Sequence, residues 1–221
     1  MYVAPLLVAL CLVVGTRAST PAHSNAYVDR VLAQTFPATA GAVQGELAGT
    51  RFQVGSGGLI TGLLTNPLAV TLKKGVVTGL QPPYGLRRTG DCSPPTLING
   101  NITIGCYVTL DALKVRFEGS YSSGTILASV ASFIVDGSLS NSKAYLEVTA
   151  RPGNMPTLKT WKVLPTNVVL TFSRRPDLST QRFQEFYNGI STHVQRVFNT
   201  WLYGPLVQAL AYSVRVNPLT V

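Results

Sequence analysis

The chain has 221 residues, of which 46% are hydrophobic and 12% charged, with a formal net charge of +9. That length suits one domain with a sizeable core. Its basic residues are scattered, with pairs at Lys73–Lys74, Arg87–Arg88 and Arg174–Arg175 but without zinc-finger spacing or an aromatic–basic RNA-binding motif, so nucleic acid is not an expected partner.

Residues 1–18 read as a secretory signal. An apolar run from Val3 to Val14 is too short to span a bilayer, and Gly15, Thr16 and Ala18 follow it, which places cleavage after Ala18. An uncleaved anchor is the alternative, because the run lacks a basic leader. Residues 19–221 then form a single domain. Cleavage would remove Cys11 and Arg17, leaving a net charge of +8 (9 − 1) and the pair Cys92 and Cys106. In an oxidising compartment such a pair is expected to form a disulfide, worth roughly 3 kcal/mol for a loop of about 15 residues. His23 and His193 are the only histidines, so no metal or other cofactor is expected.

The stretch SNAYVDRVLAQTF, residues 24–36, reads as a short helix capped by Ser24, striped by Val28, Leu32 and Phe36, and stopped by Pro37. After it, ATAGAVQGELAGTRF reads as a flexible connection. Its Gly41, Gly45 and Gly49 leave a helix-packing ladder as the alternative. GSGGLITG is no dinucleotide fingerprint, since Ile60 stands where a glycine is needed.

Strands are expected over about 50–173, where short runs of Val, Ile, Leu and Thr alternate with turn residues. KAYLEVTA sets Ala144, Leu146 and Val148 on one face, and NVVLTFS does the same with Val168, Leu170 and Phe172. In CYVTLDALKVRFEGSY the phase changes: Val108 and Leu110 point one way, and Leu113, Val115 and Phe117 the other. Either a β-bulge at Asp111–Ala112 keeps all five on one face, or the strand ends there. The sequon Asn101-Ile102-Thr103 follows an Asn-Gly turn and is either a glycosylation site of a secreted chain or a bare turn.

A long amphipathic helix is expected over about 179–214, on the order of 50 Å. Its stripe runs through Phe183, Phe186, Ile190, Val194, Val197 and Trp201, then Val207, Leu210 and Val214, and Pro205 should kink or break it. No second helix of matching length is in view. The economical packing is therefore an α+β fold in which a curved antiparallel sheet wraps the helix. Pocket candidates are the helix positions from Phe183 to Trp201, facing Leu113, Val115, Phe117, Leu146, Val148, Leu170 and Phe172; the same positions would equally serve as core. Catalysis is not expected. No G-x-S-x-G elbow occurs, Asp111 and Asp136 read as turn residues, and His193 reads as a partly buried or surface residue beside the stripe.

The segment from Gly75 to Tyr121 resembles the central strands of the mite group 7 allergen family. Val77, Gly79 and Leu80 match a V-x-G-L stretch, Arg88, Gly90 and Asp91 an R-x-G-D stretch, and Asp111, Val115 and Phe117 the strand that follows. RPGNMPTLKTWKV resembles that family's G-N-M-x-T-L segment through Gly153, Asn154, Met155, Thr157 and Leu158. The cysteine pair departs from the mite pattern. The resemblance implies the tubular lipid-binding superfamily, with bactericidal permeability-increasing protein, lipopolysaccharide-binding protein and the insect juvenile-hormone-binding and takeout proteins. It further implies a secreted, extracellular, non-enzymatic arthropod carrier of a lipid or other apolar small molecule. The alternative is a protein that docks through Lys and Arg on anionic membrane lipids or lipopolysaccharide. A protein-interaction module filled by its own side chains is a third option.

Overall fold

The computed structural model describes residues 20–42, 46–55, 67–81, 84–123 and 129–219. The expected signal segment, Gly45 and most of GSGGLITG lie outside them.

The N-terminal helix is longer than its sequence pattern suggested. α1 (Pro21–Arg30) passes through a π-helical turn (Val31–Thr35) into α2 (Phe36–Ala42). Thr20 occupies the cap position with Pro21 in the first turn, where its missing N–H costs nothing. Ser24 is therefore not the cap: it lies inside α1, buried, with no partner for its hydroxyl among the described residues. Pro37 does not stop the helix either. Its ring would clash with the carbonyl four residues back, and the wide turn ahead of it, closed by the Phe36 N–H onto the Val31 carbonyl, lets the chain pass. Val28, Val31, Leu32, Phe36 and Ala40 form the buried face.

Among the described residues ten strands follow: β1 (Thr50–Val54), β2 (Leu68–Thr78), β3 (Arg87–Thr89), β4 (Thr96–Ile98), β5 (Asn101–Thr109), β6 (Lys114–Ser123), β7 (Val130–Ser140), β8 (Lys143–Ala150), β9 (Thr157–Val163) and β10 (Asn167–Phe172). They make an antiparallel, curled wrapping divided into two ladders. One runs β1-β2-β6-β7-β10; the other runs β3-β5-β8-β9, with β4 on β5.

A single bent hairpin joins the ladders. β5 and β6 lead out, β7 and β8 lead back, and β6 pairs with β7 while β5 pairs with β8. At the bend, residues 110–113 lie opposite 139–142, between the pairs Thr109↔Lys143 and Lys114↔Ser138. Equal numbers on both sides mean no inserted residue, so β5 ends and the chain crosses to the other ladder instead of bulging. Both strands change phase there. Val108, Leu110, Leu113, Val115 and Phe117 are all buried, and so are Phe133, Val135 and Leu139 before the partner's bend and Ala144, Leu146 and Val148 after it. Asp111 is the turn residue expected, and its carboxylate accepts the Ser142 N–H at 2.8 Å. Asp136 is not in a turn. It lies inside β7, where Arg116 forks onto it at 2.7 and 3.0 Å and holds its carboxyl below the usual range.

The C-terminal helix is broken where Pro205 implied. α3 (Thr180–Tyr203) and α4 (Pro205–Val216) meet at Gly204. α3 lies against the first ladder through β1 and β10, and α4 against β9 of the second. The helix thus bends in step with the wrapping. The break also rotates the buried face, so that Leu206, Ala209, Leu210, Ser213 and Val214 are buried while Val207 is only half-covered.

α4 has a second partner, α2, so part of the C-terminal stripe is sheltered by helix as well as by strands. The Tyr27 hydroxyl donates to the Val214 carbonyl at 3.2 Å, and Asn217 Nδ2 donates to the Thr35 hydroxyl at 2.8 Å. The R-x-G-D stretch ties α1 to the second ladder. Arg88 is bidentate to Asp29 at 3.0 and 3.1 Å, Gly90 takes a positive φ of 71°, and Asp91 accepts from Asn25 at 2.8 Å. Beside it, Cys92 and Cys106 form the expected disulfide, with Cα atoms 4.4 Å apart.

Candidate functional site

The interface between α3 and the curled wrapping is a filled core. Phe186, Ile190 and Val194 of the helix, with Leu113 of the bend and Val115, Phe117 and Val148 of the strands, have no surface that a water molecule can reach. No void of even that size touches them, so as the structure stands they line no pocket. Leu146 and Leu170 are buried with them. Further along, Phe183 and Phe172 are partly buried in an aromatic cluster with Phe133, Phe186 and Tyr187. Ring centroids lie 5.3 to 6.4 Å apart, and the Arg175 guanidinium sits 4.4 Å over the Phe183 ring.

Val197 and Trp201, the last candidates on α3, are different. They border a cavity of about 380 Å³ beside the helix break, lined also by Glu46, Leu47, Ala48, Gly49, His193, Arg196, Thr200 and Pro205. The segment from Glu46 to Gly49 forms one wall. It is pinned where Leu47 and Gly75 exchange backbone hydrogen bonds at 2.8 and 3.0 Å. Sequence reasoning passed over this wall because it reads as a connection; its Gly49, whose absent Cβ permits the approach to β2, was the available signal.

His193 is 4% exposed and more buried than its place beside the stripe implied. Its Nδ1 lies 3.0 Å from an Arg196 guanidinium nitrogen, and its Nε2 lies 3.0 Å from the Ala48 carbonyl. The guanidinium only donates, so Nδ1 accepts, and Nε2–H then donates to Ala48. Burial holds this imidazole below its usual pKa, against the raising effect of the Ala48 bond, and the Arg196 charge lowers it further. It is a neutral strut between helix and wall. Trp201 is 3% exposed, and its indole N–H finds no acceptor among the described residues. Glu46 is ion-paired with Lys74.

A larger cavity, about 590 Å³, lies between the β8–β9 turn and the end of α4. It is lined by Met155, Pro156, Tyr212, Arg215, Val216 and Leu219 among others. The G-N-M stretch forms its rim: Gly153 has a φ of 79°, and the Asn154 N–H closes the turn onto the Arg151 carbonyl at 2.9 Å. Asn101 opens β5 after a hairpin turn in which Asn99 and Gly100 both take positive φ. Among the described residues there is no helix long and apolar enough to cross a membrane, and no cluster of His, Cys, Asp or Glu able to hold a metal.

No protein-family model matches the chain. Over 159 residues it is 25% identical to the salivary anticoagulant protein P23 of Ixodes scapularis, an alignment covering 72% of this chain and 71% of that protein. It is similar to the crystal structure of lipopolysaccharide-binding protein, with a TM-score of 0.46 and 12% identity over 90% of this chain. That match takes in only 39% of the larger protein, so the chain spans less than half its length. It is also similar to Takeout 1 of Epiphyas postvittana, with a TM-score of 0.29 and 16% identity over 88% of each chain.

Proposed function

We propose that this chain is a secreted, non-catalytic carrier of an apolar small molecule, held in the cavity at the helix break. One observation carries the reading: Leu47, Val197, Trp201 and Pro205 come together there around open space, while Phe186, Ile190 and Val194 earlier on α3 are sealed by protein. The volume lies within the roughly 300–1,000 Å³ of small-molecule sites. In this reading Val197 and Trp201 touch the ligand, and Phe183, Phe186, Ile190 and Val194 seat the helix that presents them. Membership of the tubular lipid-binding proteins, and the nearer likeness to the mite group 7 allergens, belong to the same proposal. They are supported by the bent hairpin, the terminal helix and the ordered V-x-G-L, R-x-G-D and G-N-M motifs. The disulfide and the tick salivary relative support secretion.

Organic extraction of the secreted protein, paired with native mass spectrometry, should recover a bound lipophile. Val197→Trp, which fills the cavity, should empty it. A wild-type protein that takes up no lipophile in either experiment removes the proposal.

The net charge of +9 favours a second reading, attachment to anionic lipid surfaces. Pelleting with phosphatidylserine vesicles that fades as salt rises would support it, and pelleting at no ionic strength would dismiss it. The name of the tick relative suggests plasma clotting time as a companion assay.

A further inference from the structure

We propose that the helix-break cavity takes an acid-headed amphiphile, a single apolar chain ending in a carboxylate, with the Arg196 guanidinium and the Trp201 indole N–H as its headgroup partners. The inference rests on the carrier reading and names the class of ligand.

Two groups in the lining lack what their chemistry calls for. The Trp201 N–H is a buried donor with no acceptor among the described residues, an arrangement that folded proteins avoid. Among the described residues Arg196 is a cation with no carboxylate partner. Arg88 and Arg116 each fork onto an aspartate, whereas the hydrogen bond of the Arg196 side chain goes to the neutral ring of His193. That bond fixes the direction of the guanidinium without cancelling its charge. Nor is Glu46 available to neutralise it, since its carboxylate is engaged by Lys74 on the exposed side.

An unmet donor and an uncompensated fork of donors on an apolar wall call for a ligand that only accepts and carries negative charge. An ionised carboxylate does both, and its two oxygens match the guanidinium geometry. An alcohol could answer the indole but not the charge, and an ammonium head would be repelled. At about 380 Å³ the space suits one chain and not a two-chain phospholipid.

The test is calorimetric titration of the full-length secreted protein with decanoate and, separately, with 1-decanol, using wild type, Arg196→Gln and Trp201→Phe. Decanoate should bind about tenfold or more tightly than decanol, the scale of one hydrogen bond to a charged group. Arg196→Gln, on the exposed side of α3, should bring the two ligands to near-equal affinity. Trp201→Phe should weaken decanoate by several-fold. Equal binding of the two by wild type, or a preference for decanoate that survives Arg196→Gln, overturns the headgroup assignment and leaves the carrier reading standing. Failure of both ligands to bind overturns the two together.

Discussion

Gly137 of β7 offers a direct measure of how tightly helix and strands are packed. A Cβ built on it would lie 2.7 Å from Val194 Cγ1 on α3 and 3.0 Å from Val115 Cγ2 on β6. The first distance is nearly an ångström short of ordinary carbon contact, and Val194 cannot swing away cheaply because a β-branched side chain on a helix holds essentially one rotamer. Gly137→Ala should therefore destabilise the fold by about 1–3 kcal/mol, the usual cost of overpacking. Val194→Ala alone should cost on the order of 2 kcal/mol through lost burial and the cavity it leaves. The double substitution should cost clearly less than the sum, because the new methyl enters the space the valine vacates, with a coupling of roughly 0.5–3 kcal/mol. Urea unfolding of the four proteins supplies the cycle. Were the interface an open tunnel, Gly137→Ala would be neutral, or would stabilise by restricting the unfolded chain. Either result, or strict additivity, would refute the filled core.

Four further outcomes are expected. Replacing Cys92 and Cys106 together by Ala should lower the unfolding free energy by about 3 kcal/mol while leaving the far-ultraviolet circular dichroism unchanged. Tyr27→Phe, which removes the buried donor to the Val214 carbonyl, should cost about 1 kcal/mol with no change in the denaturant slope; no loss would mean that the N-terminal helix is not docked on α4. His193 titrates below its ordinary value, so its contribution to stability is whole above pH 6.5 and is lost as pH falls toward the depressed folded value, because the unfolded chain takes up the proton first. The urea midpoint of wild type should thus fall more between about pH 7.5 and pH 5 than that of His193→Gln, and parallel declines would exclude His193 as the cause. Asn101 is proposed to carry an N-glycan in the secreted protein, which endoglycosidase treatment would reveal as a mass shift absent from Asn101→Gln.

The sequence by itself determined the apolar faces of β8 and α3 and the place where the C-terminal helix breaks. The one-sided pattern of β8, the stripe of α3, the Pro205 break and the cysteine pair are written in local spacing and residue type, and they imply an α+β wrapping without reference to any contact. Residues distant in the chain decided the rest. The phase change at residues 110–113 looks the same whether a strand bulges or crosses between ladders, and only the matching shift at 139–142 on the partner strand distinguishes them. The extension past Pro37 depends on burial of Phe36 and Ala40 and on the docking of α2 against α4, which outweighs the local penalty of a proline. Whether an apolar position is core or pocket depends on how many atoms other elements bring to it. Val194 and Val197 sit three residues apart on one helical stripe, yet strands close completely over the first, while the second meets a short wall at Leu47 and open space. Periodicity records a preference for leaving water, and tertiary packing alone decides whether protein or a ligand fills the place water has left.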